Sequence, residues 1–140
     1  MLNDLHNNLE FRRLISPDEG AGDNTAKVSQ IIDLANVTSC EFVIATGTLV
    51  DADATFTVLV EDGNVSTLTD NAAVDDAFLL GTESGAAFTF TNDDVVRKIG
   101  YIGPKRYVRL TLTPASNTGA WDICAVAVLG GHREFPQSTQ

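Results

Sequence analysis

Past its first twenty-odd residues this chain repeatedly alternates apolar and polar side chains with a period of two, which commits it to strands with one buried face. Cys40, Phe42 and Ile44 fall on one side of a strand, and Glu41, Val43 and Ala45 on the other. Phe56, Val58 and Val60 repeat the pattern within Thr55 to Glu61, as do Val108, Leu110 and Leu112 within Lys105 to Thr113. Further strands are expected over Ala26 to Leu34, Ala87 to Thr91, Val95 to Ile102 and Trp121 to Leu129. The last is apolar on both faces and is therefore placed centrally in its sheet.

Asp, Gly, Asn and Pro clusters separate these segments at intervals of roughly ten residues, which suits an all-β sandwich or barrel. No amphipathic helix longer than about two turns is present, and Asn71 to Leu80 reads as a loop carrying a short strand near Phe78. The expected fold is an antiparallel β-sandwich of seven or eight strands, jelly-roll-like. With 140 residues and 44% hydrophobic side chains, the chain has material for one domain with a core. No apolar run approaches the roughly 20 residues of a membrane-spanning helix.

The two ends read differently. Residues 1–24 pass from polar, Asn-rich sequence through Phe11-Arg12-Arg13-Leu14-Ile15 to a loop rich in Gly and Asp. They are expected to form an extended N-terminal arm and linking loop, since Phe11, Leu14 and Ile15 would be wasted on solvent. Residues 25–130 then form the sandwich and 131–140 a C-terminal tail in which Phe135 stands out. The first ten residues have neither the basic leader nor the apolar stretch of a secretory signal, so synthesis in a cytoplasm is expected. Cys40 and Cys124, in separate strand-like runs, are then expected to be reduced and buried.

A net charge of −10 argues against broad nucleic-acid binding, where Lys and Arg neutralise phosphates. The charge is uneven along the chain: residues 28–96 hold twelve acids and no Lys or Arg, and Arg97, Lys98, Lys105, Arg106 and Arg109 follow with no acid among them. Acidic loops keep a sandwich soluble and protect its edges. The same polarity offers electrostatic complementarity to a partner, with the basic strands or Arg12 and Arg13 meeting acidic neighbours.

No catalytic constellation is evident, and the chain is expected not to be an enzyme. His6 and His132 lie in the terminal segments and read as solvent-exposed or docking residues. Asp51-Ala52-Asp53 fails the EF-hand pattern, with Phe56 where its loop needs Gly and Asp62 where it needs Glu. No metal site and no cofactor are expected. Trp121, the sole tryptophan, reads as a core or rim residue ahead of a sugar platform.

Five phrases carry a family resemblance: Asp4-Leu5-His6-Asn7-Asn8 with Arg13 and Ser16-Pro17, then Glu41 to Leu49, Leu79 to Glu83, Val96 to Arg109, and Ala125 to Gly130. Together they resemble small structural proteins of tailed bacteriophages, among them the capsid decoration, or cement, proteins that bind the outside of an icosahedral shell. The resemblance implies a β-sandwich or jelly roll, homo-oligomers (dimer or trimer) at symmetry axes of the shell, the major capsid protein as partner, and residence on the outer capsid surface of the virion.

A shell-stabilising protein needs no reaction centre; it needs a rigid sheet, contacts that cross subunit boundaries and many copies. On that reading the arm carries the capsid-binding residues Leu5, His6, Leu9, Phe11, Arg12, Arg13, Leu14 and Ile15. Deleting residues 1–17 is expected to leave a folded domain that no longer attaches. One alternative is a virion or surface module recognising a glycan or receptor through its acidic loops and Trp121; another is a tail or head-completion protein.

Overall fold

The computed structural model describes residues 3–20 and 22–133. The strands are β1 (Glu10–Gly20), β2 (Lys27–Val28), β3 (Ile32–Asp33), β4 (Ser39–Leu49), β5 (Thr55–Gly63), β6 (Ala72–Ala73), β7 (Leu79–Leu80), β8 (Phe88–Thr89), β9 (Val96–Tyr101), β10 (Tyr107–Ala115) and β11 (Trp121–Gly130). Besides 3-10 turns at Asp76–Phe78 and Phe90–Asn92, a short α-helix, α1 (Glu83–Ala86), starts at Thr82, whose hydroxyl caps the Gly85 N–H at 2.9 Å.

Two antiparallel sheets face each other. The first, sheet A, has the order β1-β11-β4-β9-β7; the second, sheet B, is built on β2-β10-β5-β6, with β3 added to β10 and β8 to β5. Taking β2 with β3 and β6 with β8, the chain crosses between sheets in the order of a jelly roll, β1-β11-β4-β9 opposed to β2/β3-β10-β5-β6/β8. The period-two reading of the sequence therefore holds: Phe42, Ile44, Val60, Val108, Leu110 and Leu112 are fully buried between the sheets. Phe56 stacks on Phe88 at 4.9 Å and on Trp121 at 5.0 Å, closing one end of the core.

The arm expected at the N-terminus is an edge strand instead. β1 pairs with β11 from Glu10↔Leu129 to Gly20↔Trp121, and Leu14 and Ile15 are core residues, 2% and 9% exposed. Register shifts between Arg13 and Ile15 and between Ile15 and Asp18 turn both consecutive apolar side chains inward, which breaks the alternation that would have marked a strand. The sandwich thus begins at residue 10, not 25.

The strand expected over Ala26 to Leu34 divides into β2 and β3. Between them the Ser29 hydroxyl accepts the Leu110 N–H at 2.9 Å while the Ser29 N–H reaches Leu110 O at 2.8 Å, so side chain and backbone share the ladder. At the far end, Gly131 has φ +64°, a glycine conformation, and Thr38 Oγ1 donates to its carbonyl at 3.0 Å. Residues 131–133 are held to the sandwich, and Phe135 lies outside the described residues. No helix among the described residues is long and apolar enough to cross a membrane.

Candidate docking surface

The two outer faces of the sandwich have opposite chemistry. On sheet B the outward positions are Thr55, Thr57, Leu59 and Glu61 of β5 and Tyr107, Arg109, Thr111 and Thr113 of β10, with Arg109 and Glu61 paired across the strands at 2.8 Å. That is an ordinary solvated face. On sheet A the strand register aligns outward side chains in rows: Phe11–Val128–Glu41–Gly100–Leu80, then Arg13–Val126–Val43–Lys98, then Cys124–Ala45–Val96. Phe11, Leu80 and Val96 are 60%, 54% and 67% exposed, and the central residues are half-buried only by one another's flanks.

Among the described side chains of the sheet A face, two bases stand with two acids. Arg13 and Lys98 stand at the two ends of one row, Glu41 sits in the next, and Asp122 borders the patch beside Gly47. This largely apolar field lies on a molecule of net charge −10.

Of the eight residues expected to bind a capsid, only Phe11 and Arg13 lie on this face. Leu14 and Ile15 are in the core and unavailable, because the bulge in β1 turns them inward. Arg12 points toward the other sheet, donating to Glu10 and, at 3.0 Å, to Asp33 O. Leu5, His6 and Leu9 precede β1 in a turn that Asp4 organises by accepting the Asn7 N–H at 3.0 Å; Leu5 and His6 are exposed and Leu9 half-buried. Not singled out by the sequence reading were Val43, Ala45, Val96, Cys124, Val126 and Val128, whereas Lys98 belonged to the basic block it offered to a partner. Their signal was the two-sided apolarity of β11, which does place it centrally but also leaves an apolar outer face.

Part of the charge polarity of the sequence is answered within the fold. Arg106 holds Asp33 through two 2.8 Å bonds, Arg109 holds Glu61, and Lys27 reaches Asp18 at 3.3 Å. Arg106 beside Asp33, and Arg109 beside Glu61, hold those carboxyls below their ordinary range. The acidic loops are turn-builders: Asp51 accepts from the Thr118 hydroxyl and N–H, both at 2.7 Å, and Asp70 from the Asn64 N–H at 2.7 Å. Hydrogen bonds lower both carboxyls, that from the Thr118 hydroxyl leading for Asp51 and that from the Asn64 N–H for Asp70.

His132 is buried rather than exposed, with Nε2 3.1 Å from Leu129 O. Trp121 is 1% exposed, a core residue as first read and covered from any ligand outside. Both cysteines are free thiols; Cys40 is buried as expected, whereas Cys124 is half-buried on the sheet A face. Among the described residues no group of three His, Cys, Asp or Glu side chains is placed to hold a metal ion.

No protein-family model and no curated protein matches this chain. Similar solved structures exist. One holds the family 22 carbohydrate-binding module and GH10 module of a Clostridium thermocellum xylanase, in complex with xylohexaose, at 10% identity and TM-score 0.43, covering 96% of this chain and 28% of that one. The C-terminal family 22 carbohydrate-binding module of the same xylanase aligns at 13% identity and TM-score 0.41, over 94% of this chain and 92% of that one. A family 29 carbohydrate-binding module aligns at 12% identity and TM-score 0.40, over 87% and 92%.

Proposed function

We propose that this chain is a non-enzymatic structural protein of a tailed-phage virion that lies on the outer capsid surface and docks there through the outer face of sheet A. The observation that carries the reading is the apolar, charge-balanced field of Phe11, Val43, Val126, Val128 and Val96 on a strongly acidic molecule. Its partners are the major capsid protein and neighbouring copies of itself.

The size of the field fits a lattice better than a single complex. Five strands about 4.8 Å apart, carrying three rows roughly 7 Å apart, cover on the order of 400 Å² per partner. A standard stable interface takes about 800 Å² per partner. One copy holds weakly, and an array gains from multivalency.

The test is co-sedimentation with capsids lacking this protein. Val126→Lys and Val43→Glu, each on the outer face, should leave the melting temperature within about 2 °C, as surface changes do, and abolish attachment. Attachment by both variants at the native level would overturn the reading. Copy number separates decoration from the tail or head-completion alternative: hundreds per particle support decoration, and a dozen or fewer favour the alternative.

A second reading, recognition of a glycan, has its own support in an open 560 Å³ cavity along the seam between β1 and residues 27–30. Its volume is that of a ligand pocket, and Arg13, Asp18, Lys27 and Gln30 bring polar groups to it.

A further inference from the structure

One side of sheet A ends in a strand, β9, whose outer edge is only partly covered. Thr46 N–H donates to Val95 O at 2.9 Å, so along β9 the backbone groups of Arg97, Ile99 and Tyr101 face β4, and those of Val96, Lys98 and Gly100 face away. On that outer side Ile102 N–H donates to Phe78 O at 2.9 Å, and β7 carries the pairing on to Leu80↔Gly100. There the cover stops, because Gly81, at φ +88°, turns the chain away into α1. α1 fills the space between the sheets, with Ala86 in the core and Glu83 Oε1 accepting the Val60 N–H of β5 at 2.7 Å. No group among the described residues pairs with the outward N–H and C=O of Val96 and Lys98. Backbone groups left in that state face water, and Val96 is 67% exposed.

Two cations border the gap. The register sets Lys98 beside Val43 on the outer face and Arg97 beside Ile44 on the inner one. Neither has an ion-pair partner among the described residues. Arg97 Nε is moreover buried with no hydrogen-bond partner among them, a state that costs stability until an acceptor arrives.

We propose that the free edge of β9 takes up, by strand addition, an extended acidic segment of another protein. A segment antiparallel to β9 places successive residues opposite Lys98, Arg97 and Val96. Two acidic side chains followed by an apolar one then meet two opposite charges and a valine, while the backbone supplies the hydrogen bonds. A second copy of this chain suits the edge poorly. Val96 and Lys98 straddle Arg97, so two copies paired about a two-fold axis would set Arg97 against its own twin, and a lysine on an edge strand guards against such pairing. Strand addition here does not depend on docking through the outer face of sheet A.

The probe is the capped heptapeptide Thr-Thr-Glu-Glu-Val-Thr-Thr, titrated into the isotope-labelled full chain and followed by nuclear magnetic resonance. The amide signals of Val96 and Lys98 and the Nε–H signal of Arg97 should shift together and saturate. The counterpart with Gln-Gln in place of Glu-Glu should bind about tenfold more weakly. Val96→Pro removes one outward N–H at the first position of the strand without touching a bond to β4, and should weaken the acidic peptide about fivefold. Should that variant fail to fold, Arg97→Gln and Lys98→Gln carry the test, each with a loss of about threefold. No saturable shift at millimolar acidic peptide, equal affinity for the two peptides, or native affinity in the folded variants would overturn the proposal. Shifts at the same amides on raising the protein concentration alone would also overturn it, by making a second copy the occupant.

Discussion

Glu61 and Arg109 face each other across β5 and β10 with Oε2 and Nε 2.8 Å apart, and Asn71 Nδ2 donates to the other carboxylate oxygen. The Arg109 hydrogen bond is the leading reason that the Glu61 carboxyl sits below its ordinary 4.5. A carboxyl depressed by folding adds stability above its unfolded value and loses that contribution as pH falls through the folded one. Glu61→Gln should therefore melt about 3 °C below the native protein at pH 7, on the order of 1 kcal/mol for a partly exposed pair. The gap should close progressively below pH 4.5, and calorimetry between pH 3 and 7 checks it.

Removing β1 should unfold the protein rather than merely detach it. Leu14→Ala empties a fully buried position at a cost of about 2–5 kcal/mol. Deleting residues 1–20 also strips β11 of its edge partner and should yield insoluble chain, contrary to the expectation for a free arm. Solubility and near-ultraviolet circular dichroism of the truncated protein are the measurements.

Thiol chemistry should separate the two cysteines. Burial, assisted by the charge of Glu41, pushes the Cys40 thiol up to about 12, so it stays protonated and shielded at pH 8. Cys124 lies half-buried on the sheet A face. A maleimide at pH 8 should label one site in the native protein and two in denaturant, with mass spectrometry of peptides assigning the first to Cys124. Bound to capsids, the protein should lose that label.

Tyr101→Phe should destabilise through Asp62. The phenol donates to Asp62 Oδ2 at 2.7 Å and accepts the Lys105 N–H at 3.1 Å, while Asp62 is buried. Burial and the Asp62 hydrogen bond both raise the phenol above its ordinary 10.0, so the hydroxyl remains a donor at any working pH. Deleting it leaves a buried carboxylate short of a partner, a loss of about 1–3 kcal/mol. Urea denaturation with an unchanged m-value checks it.

Much of the fold was legible in the sequence because most long strands alternate cleanly. Phe42, Ile44, Val58, Val60, Leu110 and Leu112 sat where period two placed them. β1 was not legible, since its bulges bury Leu14 and Ile15 side by side and Arg12-Arg13 before them read as docking residues of an arm. β2 and β3 were overrun by one long strand because the hydroxyl of Ser29 replaces a backbone group, which no periodicity reveals. The apolar outer face of sheet A was not legible for a different reason: Val43 was placed opposite the core residues of β4, but only the register shows it beside Val126 and Val128 of β11, which alternation left apolar on both faces. Charge blocks far apart in sequence, such as Asp33 with Arg106, met as partners once β3 paired with β10.

The unlike faces of the sandwich also give the molecule a right way up. Laid down on its valines, it turns outward the threonines of β5 and β10. Because the apolar field takes up as many acids as bases, the excess negative charge lies elsewhere on the molecule. A particle coated by many such copies would wear their acidity as its own: it would migrate faster toward the anode, repel its neighbours at low salt and resist clumping, whatever the surface beneath.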